Sequence, residues 1–129
     1  MTVLLDTNVF LWILSDDSRL TGAAREVFLD EENRLVFSVA GLWEIFIKLR
    51  SGKLTVDSGD PPAFFKSQLQ ENAVSILGIT MEHVAGTLKL PLIHKDPFDR
   101  LIIAQALHER FSVLSSDPVF AEYGVNNLF

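Results

Sequence analysis

The chain has 129 residues, 48% of them hydrophobic and 22% charged, with a formal net charge of −6 and no cysteine. A chain of this length suits one domain and buries a full core without staples, and the missing cysteine excludes disulfides and thiolate metal sites. No apolar run approaches the roughly 20 residues of a membrane span and no leader pattern opens the sequence, so a cytoplasmic protein with no membrane contact is expected. The acidic balance by itself argues against a nucleic-acid partner, whose phosphates call for a basic surface. That objection falls if the carboxylates gather where divalent cations reverse the local sign.

Taken in order, residues 2–5 form a short apolar run with β-branched content, the pattern of a buried strand. A polar triplet, Asp6-Thr7-Asn8, precedes an apolar helix over 9–14 and a polar turn over 15–18. Thr21 can cap a helix running to about residue 30, and residues 34–39 read as the second strand. A long helix follows and stops near Gly52. Residues 55–62 are a loop rich in Asp, Gly, Ser and Pro, the one candidate hinge. Beyond it come a helix over 63–71, a third strand over 74–77, a helix over 81–88 and a connection over 91–95. A helix over 97–110, a fourth strand over 112–115, one helical turn over 119–123 and a short last strand over 125–126 complete the chain. Short apolar strands alternating with helices predict a single α/β domain over 1–129, with a mostly parallel sheet of four to five strands flanked by helices on both faces.

Ligands of open parallel sheets bind beyond the carboxyl ends of the strands, and three strand–helix units of the predicted fold each deliver an acidic group towards that edge. Asp6 ends the first strand and Asp117 the fourth. Either can instead be a helix cap: Pro118 follows Asp117 as a first helical residue would, while Thr7 and Asn8 are rival caps beside Asp6. On the helix after the second strand, apolar residues take most of the circumference, which predicts burial on nearly all sides. The polar wedge that remains holds Gly41, Glu44, Lys48 and Ser51. Glu44 and Lys48 have the spacing and order of a surface ion pair, and equally of a metal carboxylate beside a phosphate-binding lysine. Asp99 lies in line with the apolar stripe of Ile102, Ile103 and Ala106, where a carboxylate is expensive unless paired or bound to a cation. The plainer reading is a helix start, with Asp96 as cap, Pro97 first and Asp99 favoured by the helix dipole. Oxygen donors of this kind suit Mg²⁺ or Mn²⁺, and a pair of such ions can cleave phosphodiesters.

The run Leu4-Leu5-Asp6-Thr7-Asn8 resembles the opening of PIN-domain ribonucleases. The segment around Trp43-Glu44-Ile45 with Gly52-Lys53-Leu54, the segment from His94 to Ala106 containing Asp96-Pro97-Phe98-Asp99-Arg100, and Ser116-Asp117 with Tyr123-Gly124-Val125 are similar to the later motifs of that family, in order along nearly the whole chain. Within the family the pattern resembles VapC-type toxins of toxin–antitoxin pairs. The resemblance implies a three-layer PIN-like fold and an Mg²⁺- or Mn²⁺-dependent endoribonuclease. It implies an acidic site of Asp6, Glu44, Asp99 and Asp117, with Asp96 close by, as well as a homodimer and an antitoxin that wraps the toxin and places a basic side chain in the site. Many relatives carry a hydroxyl residue where Gly41 stands, which puts the fine geometry beside Glu44 in question.

On this reading Asp6, Glu44, Asp99 and Asp117 are both the catalytic and the metal-holding residues. Thr7 and Asn8 orient Asp6 or water, and Lys48, Lys53, His94, Lys95 and Arg100 meet RNA phosphates or serve as ordinary solvated charge. Cleavage of this type leaves 5′-phosphate and 3′-hydroxyl ends and requires none of His83, His94 and His108. Trp12, Trp43 and the phenylalanines read as core or interface, and the helix over 9–14 as a candidate dimer or antitoxin surface. The alternatives are a PIN-like binding module acting mainly through a partner, and a nuclease directed at DNA. A haloacid-dehalogenase-type phosphatase expects an Asp where Asn8 stands, and a response-regulator receiver expects one after the third strand, where Gly78 and Ile79 follow.

Overall fold

Along the first two strands alternate side chains separate onto two faces, as the period of two dictates. The computed structural model describes residues 1–129. Strands β1 (Thr2–Leu5), β2 (Arg34–Ser38), β3 (Val74–Leu77) and β4 (Ser112–Leu114) form one sheet in the order β3-β2-β1-β4, every neighbouring pair parallel. The register sets Leu5 against Phe37 and against Leu114. One face carries Val3, Leu5, Leu35, Phe37 and Leu114 into a core with Val9, Phe10, Ile45 and Phe65. The other face carries Leu4, Val36 and Val113 into a core with Ile102, Ile103, Ala106 and Phe120.

The helices are α1 (Thr7–Ser15), α2 (Gly22–Leu29), α3 (Val39–Ser51), α4 (Pro61–Glu71), α5 (Met81–Gly86), α6 (Pro97–Glu109) and α7 (Val119–Glu122), with a 3-10 turn over Thr87–Lys89 after α5. The elements expected from the sequence are present, with boundaries shifted by a residue or two. The expected last strand over 125–126 is the exception. That segment makes only an isolated parallel bridge, Val113 to Asn127, so the sheet has four strands. Gly52, at φ 80°, closes α3 in the left-handed conformation that its lack of a Cβ makes inexpensive.

Of the caps open at the start of α1, Asp6 is the one used, its Oδ1 accepting the Val9 N–H at 2.7 Å. One expectation about the helices needs correction: α3 is not buried on nearly all sides, since Trp43 and Ile47 are 61% and 42% exposed. α3 meets the core through buried Ala40, Gly41 and Ile45, with Leu42, Phe46 and Leu49 partly buried against it, while the Trp43 edge faces outward with Phe98 of the α6 start against its ring at 5.3 Å. The apolar helix α1 differs in the opposite sense. Its Val9 and Phe10 are buried and residues 11–14 are half-buried against the core, while the large exposed apolar side chains lie mainly on α3, α5 and the segment after α5.

No helix is long and apolar enough to cross a membrane.

Candidate active site

Parallel strands bring the starts of their following segments to one edge of the sheet, and the site grows from there. Asp6 follows β1 directly and is 5% exposed. Besides the α1 cap bond, its Oδ2 accepts from the Ser115 hydroxyl at 2.5 Å. Ser115 follows β4, and its oxygen accepts the Asp117 N–H at 3.1 Å. One buried hydroxyl therefore ties the Asp6 carboxylate after β1 to the Asp117 backbone after β4. Asn127 pins this hinge from the C-terminal tail, its amide donating to the Ser115 carbonyl at 2.8 Å and its oxygen accepting the Ser115 N–H at 3.0 Å. Asp117 also caps α7, its Oδ1 accepting the Val119 N–H at 3.0 Å, so capping and a place in the cluster coexist in one side chain.

Glu44 comes from the second turn of α3, with its side chain 12% exposed. Its Oε2 pairs with Lys48 at 3.2 Å one turn on, and its Oε1 is buried with no hydrogen-bond partner. Asp99 sits in the first turn of α6, whose cap is Asp96; the Asp96 Oδ1 accepts the Phe98 N–H at 2.8 Å. The Asp99 carboxyl lies 3.0 Å from Nε2 of His94, and the same nitrogen lies 2.9 Å from Asp117.

The electrostatics agree with this convergence. Burial pushes the Asp6 carboxyl up to about 6, opposed by the Ser115 and Val9 hydrogen bonds and helped by the negative charges of Asp117 and Glu44. Burial likewise pushes Asp99 up to about 7, with Asp96, Glu44 and Asp6 adding repulsion and His94 opposing it. Asp6 and Asp99 therefore sense Glu44, and Asp6 senses Asp117, across the cleft. Two carboxylates pushed up by burial and acidic neighbours, with a buried Glu44 oxygen lacking any donor, form a donor set suited to a hard divalent cation. The residues present fit Mg²⁺ or Mn²⁺.

The supporting residues separate. Thr7 is buried beside the site with its Oγ1 unpartnered, and Asn8 is exposed. Lys48, Lys53 and Lys95 share a shallow basin with Glu44, Asp96 and Phe98. Arg100 turns elsewhere: its guanidinium donates to the carbonyls of Thr87, Leu90 and Pro91 at 3.0, 3.3 and 2.9 Å. It ties down the segment before α6, leaving it no free fork for phosphate. His94, expected at the rim, stands between two of the carboxylates.

Sequence reasoning missed Ser115, Asn127 and Tyr123. The Tyr123 hydroxyl accepts the N–H groups of Ile93 and His94 at 3.2 and 2.6 Å and so fixes the loop that carries His94. Nothing local to a serine or asparagine near a chain end signals such a role. The aromatic of the last motif was visible, although its partner was not.

Gly41 has a plain steric reason. A Cβ there would meet the Phe37 ring at 2.6 Å and the Thr7 hydroxyl at 3.0 Å. Phe37 stacks on Phe10 at 4.3 Å and fills the space that a side chain at 41 would need.

A three-layer α/β sandwich with a carboxylate cluster at the carboxyl edge of a four-stranded parallel sheet defines the class. The PIN-domain model matches residues 3–126, and the chain belongs to the PIN-domain family, a family of nucleases. Among solved structures the chain is similar to VapBC2 from Rickettsia felis bound to a DNA fragment from its promoter (13% identity, 98% of this chain and 97% of that one, TM-score 0.74). It is also similar to VapBC-1 from nontypeable Haemophilus influenzae (16% identity, 98% and 96% covered, TM-score 0.67) and to FitAcB from Neisseria gonorrhoeae (17% identity, 98% and 96% covered, TM-score 0.62). A toxin–antitoxin complex from Klebsiella pneumoniae shares the fold at 18% identity over 89% of this chain and 86% of that one, with a TM-score of 0.55. No curated protein sequence matches significantly.

Proposed function

We propose that this PIN-domain chain is an endoribonuclease dependent on Mg²⁺ or Mn²⁺, the toxin of a type II toxin–antitoxin pair. The observation that carries the nuclease reading is the acidic cluster itself. Asp6 and Asp99 are raised to about 6 and about 7 by burial and by their acidic neighbours, and Glu44 keeps an orphaned buried oxygen beside them. Such an arrangement is costly for the folded chain unless a cation offsets it. The toxin reading draws on the similar folds, since VapBC2, VapBC-1 and the Klebsiella complex are toxin–antitoxin proteins.

Asp6, Glu44, Asp99 and Asp117 would hold the ion, which supplies Lewis acidity at the scissile phosphate and an activated water. Ser115 keeps Asp6 and Asp117 at a fixed separation. Asp96 starts α6 where its first turn carries Asp99 into the cluster. Thr7 and Asn8 flank Asp6 and orient it or a nearby water. Lys48, Lys53 and Lys95 line the basin beside Glu44 and meet the phosphates on either side of the cut. Neutralisation of the carboxylates removes the objection that a net charge of −6 raises against a nucleic-acid substrate. An antitoxin protein, a homodimer and a cytoplasmic setting complete the proposal.

The test is cleavage of a mixed single-stranded RNA library, and of DNA of matching sequences, by the purified protein and by Asp99→Asn, with Mg²⁺, Mn²⁺ or chelator. RNA cleavage that needs the ion and disappears in the variant supports the reading. Cleavage of DNA alone transfers the activity to the other sugar. Equal behaviour of the two folded proteins refutes the catalytic role and leaves a module that acts through its partner.

A further inference from the structure

His94 occupies an unusual place for a residue outside the acidic set. Its Nε2 lies 3.0 Å from Asp99 Oδ2 and 2.9 Å from Asp117 Oδ2, so one ring nitrogen bridges carboxylates that belong to α6 and to the segment after β4. The ring is not free to turn. Its Nδ1 accepts the Asp96 N–H at 3.1 Å, and its own backbone N–H is held by the Tyr123 hydroxyl at 2.6 Å. The side chain is 18% exposed.

The Asp96 bond decides the chemistry of the other nitrogen. A backbone N–H only donates, so Nδ1 must present its lone pair, and the ring proton sits on Nε2. A neutral imidazole in that tautomer has no lone pair on Nε2 with which to ligate a metal. It donates to the Asp117 carboxylate, with the Asp99 carboxylate at ion-pair distance, and both belong to the cation-binding set. His94 therefore takes up oxygen lone pairs that an incoming ion needs, and it cannot join the ion as a ligand without giving up Asp96. The chain's other histidine cluster follows the same rule: His83 accepts the Thr80 N–H on Nδ1 and directs Nε2 at Glu109, an arrangement that caps α5.

We infer that His94 is a built-in competitor for the cation site: its Nε2 sits between Asp99 and Asp117, hydrogen-bonded to Asp117 and against Asp99, and must be displaced before a divalent ion can bind. This rests on the reading of the four carboxylates as the metal site. His94 then sets the ion concentration at which the site fills, and it holds Asp99 and Asp117 within reach of each other until that point.

The measurement is a Mn²⁺ binding isotherm by calorimetry or by electron paramagnetic resonance. It compares the unaltered chain with His94→Ala, His94→Gln and Asp99→Asn, each checked for a cooperative thermal melt. One hydrogen bond to a charged acceptor, Asp117, is lost in His94→Ala together with the close approach to Asp99, so its Kd for Mn²⁺ is expected to fall by about tenfold. His94→Gln keeps an N–H donor of similar reach and stays near the unaltered value. Asp99→Asn loses binding, which ties the signal to this site. Should the alanine variant fail to fold, His94→Asn, too short to bridge the two carboxylates, carries the same expectation. Equal or weaker binding in His94→Ala, or in His94→Asn where it stands in, overturns the competitor role and leaves the metal site standing. No Mn²⁺ binding to any of the proteins, His94→Ala included, overturns the metal site and the competitor with it.

Discussion

Replacing Asp6 with asparagine is expected to stabilise the protein while removing its cleavage activity. The Asp6 carboxyl is raised from 3.8 to about 6, chiefly because it is buried. A raised acid contributes stability that is fully present below the ordinary pKa and is lost as pH rises through the folded value, because the buried site must then accept a charge. The window here runs from about pH 4 to pH 6–7. At about 1.36 kcal/mol per pKa unit, the shift corresponds to about 3 kcal/mol lost by pH 8. Asparagine escapes that loss. Its Oδ1 can accept the Val9 N–H and its amide can face the Ser115 oxygen, so the cap survives. Urea denaturation in chelator should find Asp6→Asn about 1–3 kcal/mol more stable than the unaltered chain at pH 8, with little difference near pH 4. Added Mn²⁺ should stabilise the unaltered chain and leave the variant unmoved. A variant that is less stable at pH 8, or whose advantage is the same at both pH values, would refute the idea that Asp6 carries a buried-charge penalty.

Ser115→Ala removes a buried donor to Asp6 and the acceptor of the Asp117 N–H, so a stability loss of about 1–3 kcal/mol is expected in denaturation. Because the Ser115 bond holds the Asp6 carboxyl down, the pH profile of Mn²⁺ binding should also shift upward in this variant. Gly41→Ala places a Cβ 2.6 Å from the Phe37 ring and should destabilise by about 1–3 kcal/mol despite the better helix former. Pairing it with Phe37→Leu should recover part of that loss, which a double-mutant cycle would read. Lys53→Ala and Lys95→Ala should raise KM for RNA and flatten its salt dependence with kcat nearly unchanged, whereas a matching fall in kcat would place these lysines at the reacting phosphate.

Much of this protein was legible one residue at a time. Strand and helix order followed from short apolar runs alternating with helical periodicity, because in a parallel sheet both strand faces are buried. The stops at Gly52 and the starts at Thr21 and Asp96 followed from cap chemistry, which is local. Asp99 announced itself as a carboxylate aligned with an apolar stripe. Tertiary packing settled what local rules could not. The composition of α3 predicted burial all round, but a helix meets its neighbours along limited faces, and Trp43 and Ile47 lie outside the face that meets the core, with Phe98 against the Trp43 ring. The last segment had strand-like residues yet makes a single bridge, pairing with β4 at Val113 alone while its Asn127 side chain bonds Ser115.

The sequence alone determined which carboxylates point toward one edge, because strand ends and helix first turns are set by local pattern and handed to a common edge by parallel topology. Only the tertiary structure decided how they are held there. Ser115 and Asp6 are 109 positions apart, His94 and Asp117 are 23 apart, and Tyr123 reaches back 29 residues to the His94 backbone. Hydrogen bonds across such separations depend on where each backbone finally lies, to within a fraction of an ångström, and no local periodicity encodes that.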